Sequence, residues 1–291
     1  MLRDDPNPPI AAVRAAVALA IAEDILPNGD LTASLISPEL RGRAAFVARS
    51  SGVVAGTACA EEACRQVDLA LKVTWEHLDG AEVAPGGVIG HVDGPLRSLV
   101  TSERTALNFL CHLSGVATSA RRFVEAARFR NPTTVVWDTR KTTPGLRALE
   151  KAAVRAGGAA NHRGSLSEAI LIKDNHLGGI SINEAVLRAR ELWPGRMIEV
   201  ECDRTEQVAE ALDAGATLVM CDNMTPDEVR QSAAMIRVHP RGVAGATLLE
   251  ASGGISLDNI GEYAAAGADV ISVGAITHSA VALDIGLDLD R

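Results

Sequence analysis

The pattern of apolar and polar positions changes near residue 133, and the change predicts two structural parts. Beyond that point, short apolar runs rich in β-branched residues alternate with helix-type stretches at intervals of roughly 20 to 35 residues. The runs are apolar throughout rather than strictly alternating, which is typical of parallel strands covered on both faces. The second part is therefore predicted to be a parallel α/β sheet or barrel. Its strands are predicted in TTVVWD, EAILIKD, MIEVEC, TLVMCD, TLLEAS and ADVISVG.

The first part of the chain has shorter and more mixed runs, which predict an α+β arrangement. An Ala-rich amphipathic helix is predicted over residues 10–26, ending at the turn Pro27-Asn28-Gly29. A second helix is predicted near Cys59 to Val67, and the last helix of this part opens at TSERTALNFLCHLSG. Short strands are predicted in RAAFVARS, GVVAG and LKVTW, and a glycine-rich hairpin in VAPGGVIGHVDGP.

Every apolar run of the second part is followed, on its carboxyl side, by charged, hydroxyl-bearing or glycine residues that could bind a ligand. The carboxyl ends of the strands form the active-site rim of α/β barrels. Six such groups in succession predict a functional site on that rim. The groups are Asp138-Thr139-Arg140-Lys141, Lys173-Asp174, Glu201, Asp222, Ser252-Gly253-Gly254 and Gly274.

The net charge of −9 argues against a nucleic-acid or anionic-membrane surface spread over the whole molecule. The segment from Asp138 to His176 departs from that balance, because it carries seven Lys or Arg residues against four acids and is formally +3. Three of these cations follow one another at i, i+4 and i+8 on the predicted helix GLRALEKAAVRAGG, and we interpret them as a solvated helix face. These three are Arg147, Lys151 and Arg155.

The remaining cations terminate strands rather than decorate a helix. Guanidinium forks match carboxylates and phosphates, so Arg140, Lys141 and Lys173 predict a pocket for a polyanion. Glu201 and Asp222 end neighbouring strands and have two possible roles. They could simply pair with these cations, or they could hold Mg²⁺, which takes one or two carboxylates and leaves its other positions to water and substrate phosphates.

Two glycine-containing turns predict phosphate contacts. In SGGISLDNI, glycines follow a strand and precede a helix whose first amides are unsatisfied, and SVGAITHS repeats the arrangement one strand later. The sequence contains neither GxxxxGK[ST] nor GxGxxG, and neither GxSxG nor HExxH. These features favour a sugar phosphate with a second phosphate group as the substrate.

Cysteine usage and the first residues indicate the compartment. The five cysteines form no CxxC pair and no metal-ligand spacing, which suits a reducing cytoplasm. The start MLRDDPNPPI is acidic and interrupted by proline, unlike a signal peptide. Arg14 and Glu23 interrupt the Ala-rich run, which is too short to span a bilayer. We expect a soluble, cytoplasmic protein.

A set of motifs resembles the quinolinate phosphoribosyltransferase family, the decarboxylating enzymes of NAD biosynthesis. The similarity runs in order from EDILPNGDLT to the end of the sequence, and DTRKTTPG, NHR and LIKDNH are its most specific part. Members join quinolinate to phosphoribosyl pyrophosphate and release pyrophosphate and CO₂, forming nicotinate mononucleotide. The other motifs are TSERTALNFLCHLSGVAT, EVEC, CDN, ASGG and SVGAITHS.

The resemblance implies the fold class, the division into domains and the assembly. It implies an α/β protein with an α+β N-terminal sandwich domain over 1–114, which a C-terminal helix over 278–291 rejoins. An incomplete α/β barrel of the type II phosphoribosyltransferases would occupy 115–277 and hold the active site. The protein would form a homodimer or a higher oligomer, in which Arg104, in the first turn of its predicted helix, reaches the partner subunit's site.

The resemblance also implies roles for individual residues. Arg140, His162 and Arg163 would hold the quinolinate carboxylates. Lys141 and Lys173 would contact the phosphoribosyl substrate or the base. Thr139 would contact substrate, and Glu201 and Asp222 would bind Mg²⁺ and ribose hydroxyls. The 5′-phosphate would be held by Ser252, Gly253, Gly254, Val273, Gly274 and Ala275. The catalytic residues would be Lys141, Lys173, Glu201 and Asp222.

The sequence departs from the family pattern at two places and leaves other functions open. Ala159-Ala160 follow Gly157-Gly158 before NHR, where three glycines are common, and His112 stands where Arg is frequent. One alternative function is that of a molybdenum-utilisation protein related to this family, which would share the fold. A second is a Schiff-base aldolase that uses Lys173, because a lysine at a barrel strand end also suits that chemistry. A phosphate-ligand sensor is the non-enzymatic alternative.

Overall fold

The computed structural model describes residues 7–290, which divide into two compact units. Of the described residues, unit 1 comprises 7–121, 142–158 and 276–290, and unit 2 comprises Arg122–Lys141 and Ala159–Ala275. Residues 1–6 and Arg291, within the predicted N-terminal domain and the predicted C-terminal segment, lie outside the described residues. The segment Thr142–Gly158 belongs to unit 1, whereas the sequence-based division placed it with the barrel.

Unit 1 contains a four-stranded antiparallel sheet with strand order β12-β1-β5-β3. Strand β1 pairs with β5 from Arg41↔Pro95 and with β12 from Ala44↔Leu289. A separate ladder joins β2 to β4. The predicted strands β1 to β3 are confirmed. The strands are β1 (Arg41–Ala48), β2 (Gly52–Val53), β3 (Lys72–Trp75), β4 (Glu82–Val83), β5 (Val88–Pro95) and β12 (Ile285–Leu289).

The helices of unit 1 pack on one another, and the second helix also contacts strand β3 of the sheet. The first helix buries Val13, Val17 and Ile21, which are spaced four apart and so share one face. It packs against the second and fourth helices. The predicted helices at 10–26 and near Cys59 are confirmed. The helices are α1 (Ile10–Ile25), α2 (Thr57–Val67), α3 (Leu96–Arg130), which continues into unit 2, α4 (Arg147–Ala156) and α11 (Ala275–His278), with a 3-10 turn at Ala33–Leu35.

The predicted glycine-rich hairpin is wrong. Strands β4 and β5 do flank Gly86-Gly87, but β4 pairs with β2 whereas β5 lies between β1 and β3. Both edges of β5 are therefore taken by other strands, and the chain between β4 and β5 passes from one sheet to another. Local glycine content signals the turn and cannot specify which strand becomes the neighbour.

The predicted C-terminal helix over 278–291 is also wrong, because the segment forms β12 on the edge of the unit 1 sheet. It does return to the first domain, pairing antiparallel with β1. Its sequence IGLDL alternates apolar and polar residues with period two, the pattern of an edge strand rather than a helix.

The long helix α3 begins earlier than the sequence predicted. It starts at Leu96, directly after β5, and runs to Arg130 without interruption. Leu99 is fully buried and extends the apolar face of Leu107 and Leu110 toward the start of the helix. Arg104 consequently lies in the third turn, and the prediction that it occupies the first turn is wrong.

Unit 2 is built on a six-stranded parallel sheet with order β6-β11-β10-β9-β8-β7, as the repeating apolar runs predicted. Leu218, Trp137 and Val270 form part of its apolar core. The carboxyl ends of all six strands meet at one edge, so the polar residues predicted there converge. The strands are β6 (Val135–Trp137), β7 (Ile170–Ile172), β8 (Ile198–Cys202), β9 (Leu218–Asp222), β10 (Leu248–Ser252) and β11 (Val270–Ser272).

Helices separate these strands along the chain, and local capping defines several of their starts. Ser181 accepts a hydrogen bond from the backbone N–H of Glu184, and Thr225 forms a capping box with Glu228. The helices are α5 (Asp174–Leu177), α6 (Ile182–Leu192), α7 (Thr205–Ala214), α8 (Pro226–Val238), α9 (Pro240–Val243) and α10 (Ile260–Ala266). Across residues 7–290, the helices are too short or too polar to cross a membrane.

Candidate active site

A cavity of about 400 Å³ opens at the carboxyl ends of the unit 2 strands. Its walls come from alternate positions of neighbouring strands, because residues two apart in a strand share one face. Leu171 with Lys173 and Met220 with Asp222 illustrate the pattern. The lining residues are Thr139, Arg140, Lys141, His162, Arg163, Leu171, Lys173, Glu201, Met220, Asp222, Asn223, Glu250, Ser252, Gly253, Gly254 and Ser272.

Most of the residues implied as ligands therefore surround one space. The exceptions are of two kinds. Val273, Gly274 and Ala275 follow β11 but do not line the cavity, and the N–H of Val273 donates to the carbonyl of Trp137. The N–H of Val273 is therefore engaged within the protein, and the implied role of Val273, Gly274 and Ala275 in holding the 5′-phosphate stays a prediction. Arg104 is an exposed residue of unit 1.

Four cationic side chains give the cavity its anion-binding character: Arg140, Lys141, Arg163 and Lys173. Arg163 is 9% exposed, and burial, reinforced by the charge of Arg140, lowers the pKa of its guanidinium, while Glu199 opposes that shift. Two guanidinium groups that feel each other's charge are stabilised when an anion lies between them. The pair suits a ligand with more than one negative group.

The carboxylates at the ends of β8 and β9 are only partly committed to protein partners. Glu201 Oε2 pairs with the ammonium of Lys173, and Asp222 Oδ2 accepts a hydrogen bond from the amide of Asn223 at 2.7 Å. Glu201 thus makes the ion pair that the sequence left open as an alternative. Both carboxylates still face the cavity.

The NHR motif is held against the end of β6 by Asp138. Asp138 Oδ1 accepts the backbone N–H of His162 at 2.9 Å, and Oδ2 accepts the side-chain amide of Asn161 at 2.8 Å. Asp138 is fully buried. Sequence reasoning identified it only as a polar strand end, whereas the structure shows that it fixes the loop carrying His162 and Arg163.

Both ring nitrogens of His162 lie against protein atoms. Nδ1 accepts a hydrogen bond from the backbone N–H of Arg163 at 2.7 Å. Nε2 lies 2.9 Å from Glu199 Oε2 and 3.7 Å from Glu250 Oε2. Trp137 contacts the ring edge-on with centroids 5.3 Å apart. The orientation of His162 is therefore set by its surroundings in the protein.

Glu199 and Glu250, here called the buried acid pair, lie beside His162 at the candidate site, and the sequence analysis did not identify them. Both side chains are fully buried. Burial raises the pKa of Glu199 to about 8 although Arg163 opposes it, and burial with the charge of Glu199 raises the pKa of Glu250 to about 8. The sequence did contain a pattern that could have identified them, since Glu199 lies two residues before Glu201 and Glu250 lies two residues before Ser252. Strand periodicity places such residues on the same face.

The loop after β10 has the predicted glycine conformation but not the predicted helix. Gly253 and Gly254 adopt φ values of +86° and +60°, which favour glycine. A Cβ on Gly253 would meet Asn223 Oδ1 at 2.3 Å, whereas Gly254 faces open space. Helix α10 begins only at Ile260, so its amides do not adjoin these glycines.

In unit 1, the interpretation of helix α4 as a solvated charged face is wrong for Lys151, which is 7% exposed. Its neighbour Glu150 is fully buried and lies 2.8 Å from Nε2 of His112. Burial alone would raise the pKa of Glu150, but hydrogen bonds from His112 and Thr143 bring it below the usual value. His112, a departure from the family pattern, therefore has a defined partner.

These observations define the class of protein: an enzyme-like α/β fold with a cationic cavity at the carboxyl ends of parallel strands, where ligands bind in such sheets. The chain matches Quinolinate phosphoribosyl transferase, N-terminal domain, over residues 30–114, and Quinolinate phosphoribosyl transferase, C-terminal domain, over residues 116–288. It belongs to the quinolinate phosphoribosyltransferase family and is a pentosyltransferase.

Individual relatives support this membership over most of the chain. A probable nicotinate-nucleotide pyrophosphorylase [carboxylating] of Bacillus subtilis is 42% identical over 92% of this chain and 90% of its own length. The nicotinate-nucleotide pyrophosphorylase [carboxylating] of Homo sapiens is 39% identical over 88% of this chain and 85% of its own. The structure of the nicotinate-nucleotide pyrophosphorylase from Francisella tularensis superimposes with a TM-score of 0.90 at 35% identity, covering 98% of this chain and 99% of that one. The sequence-based fold class is confirmed.

Proposed function

We propose that the enzyme transfers the phosphoribosyl group of phosphoribosyl pyrophosphate to the ring nitrogen of quinolinate and releases pyrophosphate and CO₂. The product, nicotinate mononucleotide, is a precursor of NAD. The relatives' name, pyrophosphorylase [carboxylating], describes the same reaction in reverse. The observation that carries the proposal is the convergence of four cations on one cavity in a chain of this family.

The chemistry explains why a cationic cavity suffices. The pyridine nitrogen already has a lone pair, so it can displace pyrophosphate without a general base or a covalent nucleophile. Catalysis then consists of positioning the substrates and stabilising charge on the leaving group. Once the nitrogen is ribosylated, the cationic ring accepts the electron pair of the C2–carboxyl bond as CO₂ leaves.

The quinolinate subsite is assigned to Arg140 and Arg163. Their guanidinium groups lie close enough to influence each other and line the same cavity. Quinolinate carries carboxylates on adjacent ring carbons, which match two neighbouring cations. His162 supports this subsite through Arg163, whose backbone N–H it accepts.

The phosphoribosyl subsite is assigned to other residues of the lining. Lys141 and Lys173 supply ammonium groups, and Thr139 adds a hydroxyl near the end of β6. The loop Ser252–Gly254 would hold the 5′-phosphate, because the two glycines bring backbone close to the cavity without a side chain. Lys173, Lys141, Glu201 and Asp222 are the proposed catalytic residues.

The family implies Mg²⁺, and Glu201 with Asp222 fit that ion. Hydrogen bonds and ion pairs engage one oxygen of each carboxylate, which leaves Glu201 Oε1 and Asp222 Oδ1 for a hard cation. When bound, Mg²⁺ would neutralise charge on the diphosphate leaving group. Ribose hydroxyls would share these carboxylates, while Lys173 orients Glu201.

The assembly is proposed to be a homodimer or a higher oligomer in which Arg104 completes the partner subunit's site. The exposure of Arg104 on α3 leaves it available for such a contact. The proposed partners are the two substrates and a second copy of the chain, without nucleic acid or membrane. All five cysteines are free, which suits the proposed cytoplasmic location.

The aldolase alternative is weakened by the surroundings of Lys173. A Schiff base requires a free amine as the nucleophile, whereas the ammonium of Lys173 is engaged in an ion pair with the carboxylate of Glu201. Neither the molybdenum-related alternative nor the sensor has a specific observation in its favour.

The decisive experiment mixes the purified protein with quinolinate, phosphoribosyl pyrophosphate and Mg²⁺. Nicotinate mononucleotide and CO₂ should appear in equal amounts, and nicotinate should not replace quinolinate. Turnover of nicotinate at a similar rate, or binding of both substrates without product, would contradict the proposal. Borohydride trapping of a sugar phosphate on the protein would instead support the aldolase.

A further inference from the structure

The proposed reaction assigns no role to the buried acid pair. Glu199 lies on β8 and Glu250 on β10, and both are fully buried. Within the described chain, all four carboxylate oxygens lack a hydrogen-bond partner of good geometry. Burying polar oxygens without such partners is costly, so the pair needs a compensating role.

The nearest polar group is the ring of His162. Nδ1 of this ring accepts the backbone N–H of Arg163, so Nδ1 carries a lone pair and no proton. In a neutral imidazole the proton must then lie on Nε2, the nitrogen at 2.9 Å from Glu199 Oε2. Glu199 Oε2, as the acceptor next to Nε2, therefore stabilises one tautomer of His162.

A metal ion is the obvious alternative occupant, because ligand atoms of His162, Glu199 and Glu250 lie within 4.8 Å of one another. Coordination through Nε2 would need a lone pair on that nitrogen and therefore a proton on Nδ1. The hydrogen bond from Arg163 N–H to Nδ1 is incompatible with that proton. The cluster is consequently unsuited to a metal in this arrangement.

Arg163 connects the buried acid pair to the cavity. Its Nη1 donates to the carbonyl of Ala169 at 2.9 Å, and the charge of Glu199 acts on its guanidinium. Glu199 thus influences both members of a consecutive pair: the ring of His162 through contact and the side chain of Arg163 through charge. Both His162 and Arg163 line the cavity.

We propose that Glu199, supported by Glu250, is a positioning residue that fixes the His162 tautomer and aims the Arg163 guanidinium at one carboxylate of the aromatic dicarboxylate. This inference rests on the proposed quinolinate subsite. Two guanidinium groups held at a fixed separation recognise two adjacent carboxylates, and a mobile Arg163 loses that geometry. Glu199 does not touch substrate in this role.

The kinetic test compares Glu199→Met with the wild-type enzyme. Methionine is close to glutamate in size but lacks both carboxyl oxygens, so it removes the contact with His162 whether or not the acid is protonated. Loss of this contact should raise KM for quinolinate by about tenfold, the scale of one charge-assisted contact of Arg163, and should change KM for phosphoribosyl pyrophosphate less than about threefold. Glu62→Met is the control, because Glu62 is a 4% exposed, ion-paired carboxylate of unit 1. It should leave both KM values unchanged. Equal increases in both KM values for Glu199→Met, or no increase, would overturn the proposal.

A spectroscopic test needs no turnover. Imidazole ¹⁵N spectra of the wild-type protein should show His162 with a bare Nδ1 and a protonated Nε2. Its signals are identified among seven histidines by their loss in His162→Gln. In Glu199→Met the tautomer preference should weaken. A protonated Nδ1 in the wild-type protein would refute the positioning role even if the proposed reaction is correct. Absence of the reaction alongside the expected spectrum would contradict the proposed function alone.

Discussion

Arg163 and Arg140 differ from ordinary surface cations because one of them is nearly buried and each feels the other's charge. A lysine at position 163 keeps the charge but loses the planar fork that binds a carboxylate through two hydrogen bonds. We predict that Arg163→Lys raises KM for quinolinate by about tenfold or more and KM for phosphoribosyl pyrophosphate much less. Steady-state kinetics with each substrate varied in turn gives both values.

The control for that substitution is Arg230→Lys. Arg230 forms an exposed ion pair with Asp227 within one helix, where the exchange should be nearly neutral. If Arg163→Lys weakened phosphoribosyl pyrophosphate more than quinolinate, the two subsites would be assigned in the wrong order.

Glu250 makes stability depend on pH in a direction opposite to that of most carboxylates. Its folded-state pKa is raised to about 8 by burial, so between pH 4.5, the ordinary value, and about 8 the folded chain holds a proton that the unfolded chain has lost. The free energy of unfolding should therefore fall as pH rises through this window, by at most about 1.4 kcal/mol per pH unit for one proton. Glu250→Gln, which resembles the protonated acid, should flatten this dependence.

Urea unfolding of both proteins at several pH values between 5.5 and 8 measures the difference. Glu62→Gln is a suitable control, because hydrogen bonding to Arg65 lowers the pKa of Glu62, so that titration of Glu62 does not change the free energy of unfolding in this pH range. Identical slopes for Glu250→Gln and the wild type would mean that the buried acid pair is ionised in the folded protein.

The sequence predicts the residues at strand ends well and those one layer below them poorly. Arg140, Lys173 and Asp222 were recognisable because a charge follows an apolar run. Glu199 and Glu250 lie inside such runs, and whether an acid there is buried depends on which strands become neighbours. Their proximity to His162 is a property of the assembled sheet and cannot be inferred from local sequence.

At the scale of the element, the loop after β10 depends on the absence of one side chain. An alanine at Gly253 would adopt φ +86° and place Cβ 2.3 Å from Asn223 Oδ1 and 2.7 Å from its backbone nitrogen. We predict that Gly253→Ala displaces the loop and raises KM for phosphoribosyl pyrophosphate by about tenfold, with a smaller effect on quinolinate.

The matched substitution is Gly245→Ala, in the loop before β10. Gly245 also has positive φ, +65°, but no atom lies within 4 Å of the added Cβ. Both variants carry the backbone strain of about 1 kcal/mol for a non-glycine residue in this region, and only Gly253→Ala adds the clash. Thermal unfolding reports the shared strain. Equal kinetic effects of the two substitutions would show that strain, rather than loop position, causes the loss.

Elements with a clear period of apolar residues were predicted correctly, whereas elements that depend on pairing with a distant strand were not. The six parallel strands and helices such as α1 follow from apolar spacing. The predictions of the hairpin and of the C-terminal helix are wrong because β4 pairs with β2 and β12 pairs with β1, and the paired segments are distant in sequence. Pairing between remote segments depends on register and available edges, which no short window contains.

At the scale of the whole molecule, the proposed dimer can be tested by complementation between inactive subunits. Arg104→Ala and Arg140→Ala should each give inactive homodimers. In a two-fold dimer, a mixed pair unites the intact Arg104 of one chain with the intact Arg140 of the other at one site, while the second site carries both lesions. Random reassembly of an equal mixture should therefore restore up to about a quarter of the wild-type activity.

Activity is measured after the two variants are dissociated, mixed and reassembled, and the formation of mixed dimers is verified with two affinity tags. Mixed dimers that remain inactive would exclude a role for Arg104 across the interface. The position of Arg104 in the third turn of α3 distances it from the helix end, so its charge is not opposed there by the helix dipole.

The pairing of β12 with β1 has a consequence for the order in which the chain can fold during synthesis. All six strands of unit 2 leave the ribosome before β12, whereas β1 must await β12 to complete its ladder. We expect unit 2 to fold first. The sheet of unit 1 would then keep one open edge, at which backbone N–H and C=O groups of β1 are unpaired. A nascent chain halted before Ile285 would therefore be a preferred client for chaperones and prone to association through that edge.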